Sequence, residues 1–356
     1  MRLYAAIVSE NTRKPPSGAL NGMGKALGDL AALKKYIDDS WTRITEMRQA
    51  HPVVDWQAVF LAPEYFFSNR RVAKDRFFNH DVKRHILSGL GSISKSYPKF
   101  LIVPGTVLWT KDVYDQTSGG AVFNQARVDK AAQRNLIAQT RYRTRGGQDW
   151  NMAGNMQATD VKIAQNVAYV CLGKQIIKYQ KVGNYKEVEG EKGNIYFASG
   201  SIVGRFSVGG VKYGLEVCMD HAQGVMGTTL GSQGKAHVHL IISSYVGFKS
   251  HNAPVTLHSS TESGDLKATT DTGDYGRIDQ VTGKVEKIIN PGTKQIRFES
   301  GGGARLAAGF KANPVKMGPV TIWVIDLDNQ KLGISDVNNY TIKNTALQAV
   351  KSDYTD

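Results

Sequence analysis

Short apolar runs bounded by turn residues alternate with longer stretches of three- and four-residue spacing over the first hundred positions of the chain. Met1-Arg-Leu-Tyr-Ala-Ala-Ile-Val-Ser9 reads as a first strand, and a Pro/Gly-bearing loop from Asn11 to Gly24 follows it. From about Lys25 to Gln49, Leu27, Leu30, Leu33, Ile37, Trp41 and Ile44 recur at spacings of three and four and mark one buried helical stripe. Val53 to Phe60 is a second strand, Asp75 to Lys95 a second helix, and Phe100 to Trp109 a buried strand run. Strand, helix, strand, helix, strand predicts α/β layering.

Past Trp109 the rhythm stops. Residues from about Lys111 to Asp160 are polar and basic, and predict a long loop with one helix near Lys130 to Gln139, a length that favours a lid or binding arm. Order resumes in a hairpin, Val161 to Leu172 and Gln175 to Val182, whose Gly173-Lys174 link suits a type II′ turn. A second hairpin joins Arg205–Val208 to Val211–Val217 through Gly209-Gly210, which supplies the positive φ angles of a tight turn. Alternation there puts Val211, Tyr213, Leu215 and Val217 on one face, and Lys212, Gly214, Glu216 and Cys218 on the other. His237 to Tyr245 is a strand leading to a polar mouth, His251 to Gly303 reads as loops with a few short strands, and Val320 to Leu327 is a last strand. The whole predicts one domain over residues 1–356, with a basic insertion at about 111–160 and a loop-rich region at about 250–315.

Three residues of complementary chemistry stand at strand ends. Glu64 follows a proline in Leu61-Ala-Pro-Glu-Tyr-Phe-Phe67, where apolar flanks give an ionised carboxylate a raised pKa or a cationic partner. Lys181 shares a face with Ile177 and Tyr179, so its ammonium is either paired or snorkels to water. Cys218 closes a strand that runs into a sharp turn, Tyr213-Gly-Leu-Glu-Val-Cys-Met-Asp-His221, and a buried packing thiol is the alternative to a reactive one. A carboxylate can take a thiol proton, an ammonium can hold an oxyanion, and a thiolate can form an acyl-enzyme. His237 and His239 share one side of their strand, but no cysteine or carboxylate cluster stands near them in sequence, and no metal is expected.

Together these residues resemble the Glu-Lys-Cys triad of the nitrilase, or carbon-nitrogen hydrolase, superfamily. Ala62-Pro-Glu64 looks like the first motif of that family, Tyr179-Gln-Lys181-Val the second, and Gly214-Leu-Glu-Val-Cys218-Met-Asp220 the third. The resemblance implies a four-layer α-β-β-α sandwich and hydrolysis of an amide through a thioester. Glu64 would be the general base, Cys218 the nucleophile, and Lys181 with the backbone N–H of Met219 the oxyanion donors, with neither metal nor organic cofactor. It also implies a second glutamate after the lysine; Glu187, Glu189 and Glu191 compete, and Glu189-Gly190 is the closest match. Cys-x-Asp is more similar to the amidase branches than to true nitrilases, although the same triad serves nitrile hydrolysis and N-acyl transfer. The sequence departs from the family in reading His221-Ala-Gln-Gly224 after the third motif, and in Glu216, which is expected on the face of Cys218, where it could pair with Lys181. Tyr65, Phe66, His221 and Tyr245 are the expected pocket wall, from their position beside the motifs.

Charge widens the field. The 356 residues carry 45 Lys and Arg against 31 Asp and Glu, a formal +14 that bears on partners and not on fold. Part of it is local, in Arg127, Lys130, Arg134, Arg141, Arg143 and Arg145, set against Asp129 alone. A basic nucleic-acid- or anion-binding protein on an inactive scaffold is therefore a rival reading, though Tyr142 and Trp150 offer little for base stacking. A Cys-His hydrolase pairing Cys218 with His221 or His258 is another. A small-molecule amide is the expected partner, and the family resemblance adds a homo-oligomer. Two cysteines make no disulfide framework, the amino-terminal apolar run is too short for a secretory signal, and no run could span a bilayer. The expected setting is cytoplasmic, with no membrane partner.

Overall fold

The computed structural model describes residues 1–10, 12, 22–69, 76–142, 161–183, 195–227, 236–244, 246, 253–260, 267–269, 275–278, 285–287, 303–306, 312–351 and 354. Two sheets lie face to face, with helices on the outer side of the larger one. In that sheet β1 (Arg2–Val8), β2 (Trp56–Leu61) and β3 (Phe100–Val103) run parallel, and α1 (Gly22–Ala50) and α2 (His80–Ser96) make the crossovers that parallel pairing requires. On one side β3 meets β7 (Lys162–Leu172), which pairs with β8 (Gln175–Gln180), β4 (Thr106–Asp112) and β9 (Ile195–Phe197). The smaller sheet is built on β10 (Gly204–Val208), β11 (Val211–Val217), β12 (Val238–Ser243) and β13 (Val255–Ser260), with β11, β12 and β13 parallel. Short strands β14 (Lys267–Thr269), β15 (Tyr275–Ile278) and β16 (Val285–Lys287) pair among themselves, and β17 (Gly303–Leu306) adds to β13. An antiparallel hairpin, β18 (Ala312–Met317) and β19 (Val320–Asp326), extends the other side of the larger sheet through β19 on β1.

The alternation of the strands has a physical reading here. Tyr4, Ala6, Val8, Phe60 and Ile102 face Leu30, Leu33, Ile37, Ile86 and Leu90 of the two helices. Leu3, Ala5, Ile7, Val59, Leu61, Leu101 and Val103 face Phe206, Val211, Tyr213, Leu215 and Val217 of the second sheet. A sheet covered on both faces needs apolar residues on both, which is why its central strands read as continuous runs. Each of the fully buried Val, Leu, Ile and Phe side chains among them contributes roughly 1.5–3 kcal/mol.

Four expectations are corrected. Leu27 is 49% exposed and leaves the stripe of α1, which is instead lined by Ala26, Leu30, Leu33, Ile37 and Ile44. The second helix starts at His80, because the side chain of Asn79 accepts a hydrogen bond from the Val82 amide and caps it. The run from Phe100 to Trp109 is two strands, broken at Pro104-Gly105, where Gly105 has φ +82°. The described part of the basic insertion is ordered: β5 (Tyr114–Thr117) and β6 (Gly120–Phe123) form a hairpin, and α3 (Gln125–Tyr142) follows. Val128, Ala131, Asn135 and Ala138 bury one face of α3, an amphipathic period masked in sequence by its charge. No helix among the described residues is long and apolar enough to cross a membrane.

Candidate active site

Glu64 lies in the turn that follows β2. The Ala62 amide still pairs with Val103 O, and the chain then crosses Gly105, where a Cβ would sit 2.2 Å from Pro63 O. Only glycine permits that approach, and at φ +82°. Tyr65, itself at φ +60°, donates its amide to Thr106 Oγ1 at 2.9 Å, and Thr12 Oγ1 donates to Glu64 O at 2.8 Å. The Glu64 side chain is 0% exposed. Its Oε1 accepts from Lys181 Nζ at 2.9 Å and Asn166 Nδ2 at 2.9 Å, and its Oε2 accepts from the Ser244 amide at 3.0 Å.

Lys181 is placed one residue past β8. It continues the Ile177 and Tyr179 face, which looks into the space between the sheets. Its amide donates to Asn166 O at 2.9 Å, so Asn166 holds both the backbone of the lysine and the carboxylate of the glutamate. The ammonium does not snorkel: Lys181 is 0% exposed and paired with Glu64.

Cys218 is the hinge between β11 and α4 (Met219–Gln223), at φ +48° and ψ −105°. A non-glycine residue in such a conformation is strained, typically by about 1–3 kcal/mol, and persists where surrounding structure holds it. The Cys218 amide donates to Ile242 O at 2.9 Å, and its carbonyl accepts from the His221 amide at 3.0 Å. Strand alternation would send this thiol to the face of Glu216. The positive φ ends the alternation, and Cys218 joins Leu215 and Val217 in the inter-sheet core at 5% exposure. Ile242, Ser243 and Ser244 at the end of β12 thus bind the Cys218 amide, the Glu64 amide (3.3 Å to Ser243 O) and the Glu64 carboxylate in succession.

Asp220 ties the lysine to the cysteine turn. Its carboxylate accepts from the Tyr179 hydroxyl at 2.7 Å, the Val182 amide at 2.9 Å and the Gly183 amide at 2.7 Å, bracketing Lys181. Burial pushes its carboxyl up to about 7, against the pull of the Lys181 charge and these hydrogen bonds. Neither Asp220 nor Asn166 is singled out by sequence for a role. Asp220 lies inside the third motif, and Asn166 offers as signal an amide between Ala164 and Ala168 on a strand face that continues in Val170 and Leu172.

Glu216 does not pair with Lys181. It lies on the other face of β11, where Oε2 meets His221 Nδ1 at 2.8 Å and Oε1 accepts from the Met226 amide at 2.7 Å. His239 Nε2 is 3.0 Å from the same Oε2. Parallel pairing of β11 with β12 thus brings a carboxylate beside His239, contrary to the expectation from sequence, while His237 is engaged elsewhere and accepts from the Lys212 amide at 3.2 Å. Of the expected pocket wall, Phe66 packs in the helix-facing core against Phe67, His221 is 2% exposed on Glu216, and Tyr65 is half-buried beside Glu64. Met219 is half-buried against the inter-sheet core. Tyr245, Glu187, Glu189 and Glu191 lie outside the described residues.

No family model matches the chain, and no curated protein matches its sequence. Among solved structures it is similar to the glutamine-dependent NAD+ synthetase from Acinetobacter baumannii in complex with adenosine diphosphate, at TM-score 0.40 and 9% identity, over 90% of this chain and 47% of that one. The chain spans about half the length of that synthetase.

Proposed function

We infer that the chain is a cysteine-dependent hydrolase of a non-peptide carbon–nitrogen bond, acting on a small amide as a single domain of the four-layer nitrilase type. The observation that carries this reading is the Glu64–Lys181 pair, wholly buried at 2.9 Å and held by the β12 end that also holds the Cys218 backbone. A buried ion pair stabilises a fold weakly compared with apolar packing of the same volume. Its glutamate is held by the strand end that also holds the Cys218 amide, an arrangement that has a chemical use.

Glu64 takes the proton of Cys218, and the thiolate attacks the amide carbon. Lys181 and the Met219 amide hold the oxyanion. Glu64 protonates the departing ammonia or amine, then activates the water that hydrolyses the thioester. Asn166 and Asp220 position the carboxylate and the ammonium for these steps. Glu189 is the second glutamate of the scheme, Tyr65 and Tyr245 border the substrate, and no cofactor takes part. A Cys-His mechanism is less supported: His221 is on Glu216, and His258 Nε2 is 2.7 Å from Ser243 Oγ, on the sheet face that carries His239.

Iodoacetamide labelling read by mass spectrometry, with ammonia release from a panel of small amides, tests the reading. Cys171 is the internal control, 0% exposed with burial pushing its thiol up to about 12. Cys218 is expected to label at least roughly tenfold faster, and ammonia release to fall at least about a thousandfold in Cys218→Ala and in Lys181→Ala. Labelling of Cys218 no faster than Cys171 sinks the reading.

A further inference from the structure

The outer face of β11 carries a cluster that the proposed hydrolysis does not use. Glu216, His221 and His239 are 1%, 2% and 0% exposed, and one ligand atom from each lies within 4.8 Å of the others. They come from three elements. Glu216 is on β11, His239 is on β12 one pleat away, since Gly214 pairs with His239 and Glu216 with Ile241, and His221 is in the first turn after the Cys218 hinge. The two imidazole rings meet edge to face, 5.4 Å between centroids.

We propose that Glu216, His221 and His239 form a binding site for a divalent transition-metal ion of the zinc class, a lock on the turn that carries Cys218. Hydrogen bonding accounts for half of the cluster. His221 Nδ1 is in hydrogen-bond geometry with Glu216 Oε2, whereas His239 Nε2, 3.0 Å from that oxygen, is not. His239 Nδ1 is buried without a hydrogen-bond partner among the described residues, and Nε2 has the ion-pair contact with Glu216 as its polar neighbour. A proton shared between nitrogen and oxygen must lie near the line joining them, but a metal ion sits off that line, where the nitrogen and oxygen lone pairs converge. Ligand atoms about 2.0–2.1 Å from a first-row ion, at angles of about 90–110°, stand roughly 2.8–3.4 Å apart. The 2.8 and 3.0 Å separations fall at the close end of that span.

Two imidazoles and one carboxylate suit zinc, cobalt(II) or nickel(II) rather than calcium or magnesium, which prefer oxygen. One supporting contact is in place: the second oxygen of Glu216 is fixed by the Met226 amide at 2.7 Å. Burial this deep means that the ion enters as the chain folds. Once bound it ties β11, α4 and β12 together behind the thiol without touching it.

The test uses the full chain without a histidine tag, refolded with Zn2+, dialysed exhaustively and assayed by elemental mass spectrometry. About one equivalent of zinc is expected to remain. It should be lost in His239→Ala and kept in His237→Ala, and Co2+ in its place should give visible absorption that the His239 variant lacks. If His239→Ala does not fold, wild-type melting decides, with an expected rise of several degrees for protein refolded with Zn2+ over protein refolded with EDTA. Less than about a tenth of an equivalent with no shift in melting, or zinc that survives His239→Ala, would reduce the cluster to a hydrogen-bonded network and overturn the site.

Discussion

Replacing Lys181 by Met removes the ammonium 2.9 Å from Glu64 Oε1 and leaves a carboxylate that is 0% exposed. Breaking a buried pair from one side costs about 3–5 kcal/mol, because the remaining charge is uncompensated. Glu64 keeps the Asn166 amide at 2.9 Å and the Ser244 N–H at 3.0 Å, so the lower end of that range applies, about 3 kcal/mol. Glu64→Gln strands the Lys181 ammonium in the same volume and should cost a similar amount. The double variant Glu64→Gln/Lys181→Met has no buried charge, and the side-chain carbonyl that replaces the carboxylate still accepts a hydrogen bond, so it should come within about 1–2 kcal/mol of the parent. Equilibrium urea unfolding reads the three values; at a slope near 3 kcal/mol/M, a loss of about 3 kcal/mol lowers the midpoint by about 1 M. The expected coupling is roughly 4–5 kcal/mol, while fast alkylation of Cys218 is lost in all three variants. Singles whose costs add to that of the double within about 0.5 kcal/mol would refute a charge-coupled pair.

Other perturbations probe the supports around that pair. Cys218→Gly relieves the φ +48° backbone that Cys218→Ala retains, so the glycine variant should be more stable than the alanine variant by about 1 kcal/mol in the same assay, with both inactive. Gly105→Ala drives a Cβ to 2.2 Å from Pro63 O at φ +82°, and a loss of at least about 2 kcal/mol is expected, with Cys218 alkylation slowed as Glu64 shifts. Asp220, raised to about 7 from 3.8, favours folding most when protonated: its contribution is complete below the unfolded value and disappears as pH rises through about 7. Asp220→Asn cannot ionise, and its amide can donate to Tyr179 while its carbonyl accepts from Val182 and Gly183. It should match the parent in stability below about pH 4 and exceed it by a margin that grows up to about pH 7, a divergence that thermal melts across pH would reveal or exclude.

What can be read in sequence is what local period encodes. The strands ending near Glu64, Lys181 and Cys218 follow from runs and turns, and the hairpin at Gly173-Lys174 carries its positive φ on Gly173 as its composition implies. The side of the sheet on which the thiol lies is not legible, because period two holds within a strand and Cys218 is where β11 stops being one. Nor is the partner of Glu216. His239 is 23 positions away, and only the parallel register of β11 with β12 brings the two to one face. Asn166 and Asp220 act through contacts across 102 and 41 positions, which no local spacing records. The helix α3 is longer than its sequence announces because its buried face is made of Val128, Ala131, Asn135 and Ala138, small or polar residues rather than a stripe of large apolar side chains.

The three residues that close β12 give the chain a built-in order of assembly. Ser244 reaches a carboxylate 180 positions earlier in the chain, across the gap between the sheets, so this bond exists only after the two sheets have docked, whereas the Cys218 amide on Ile242 O is a bond within the smaller sheet. Contacts of such separation require a large loop to close and belong to the slow, late part of folding. Until then Cys218 is without Glu64, which the larger sheet carries. On the proposed function, the rise in the alkylation rate of Cys218 during refolding would time the closure of one sheet on the other.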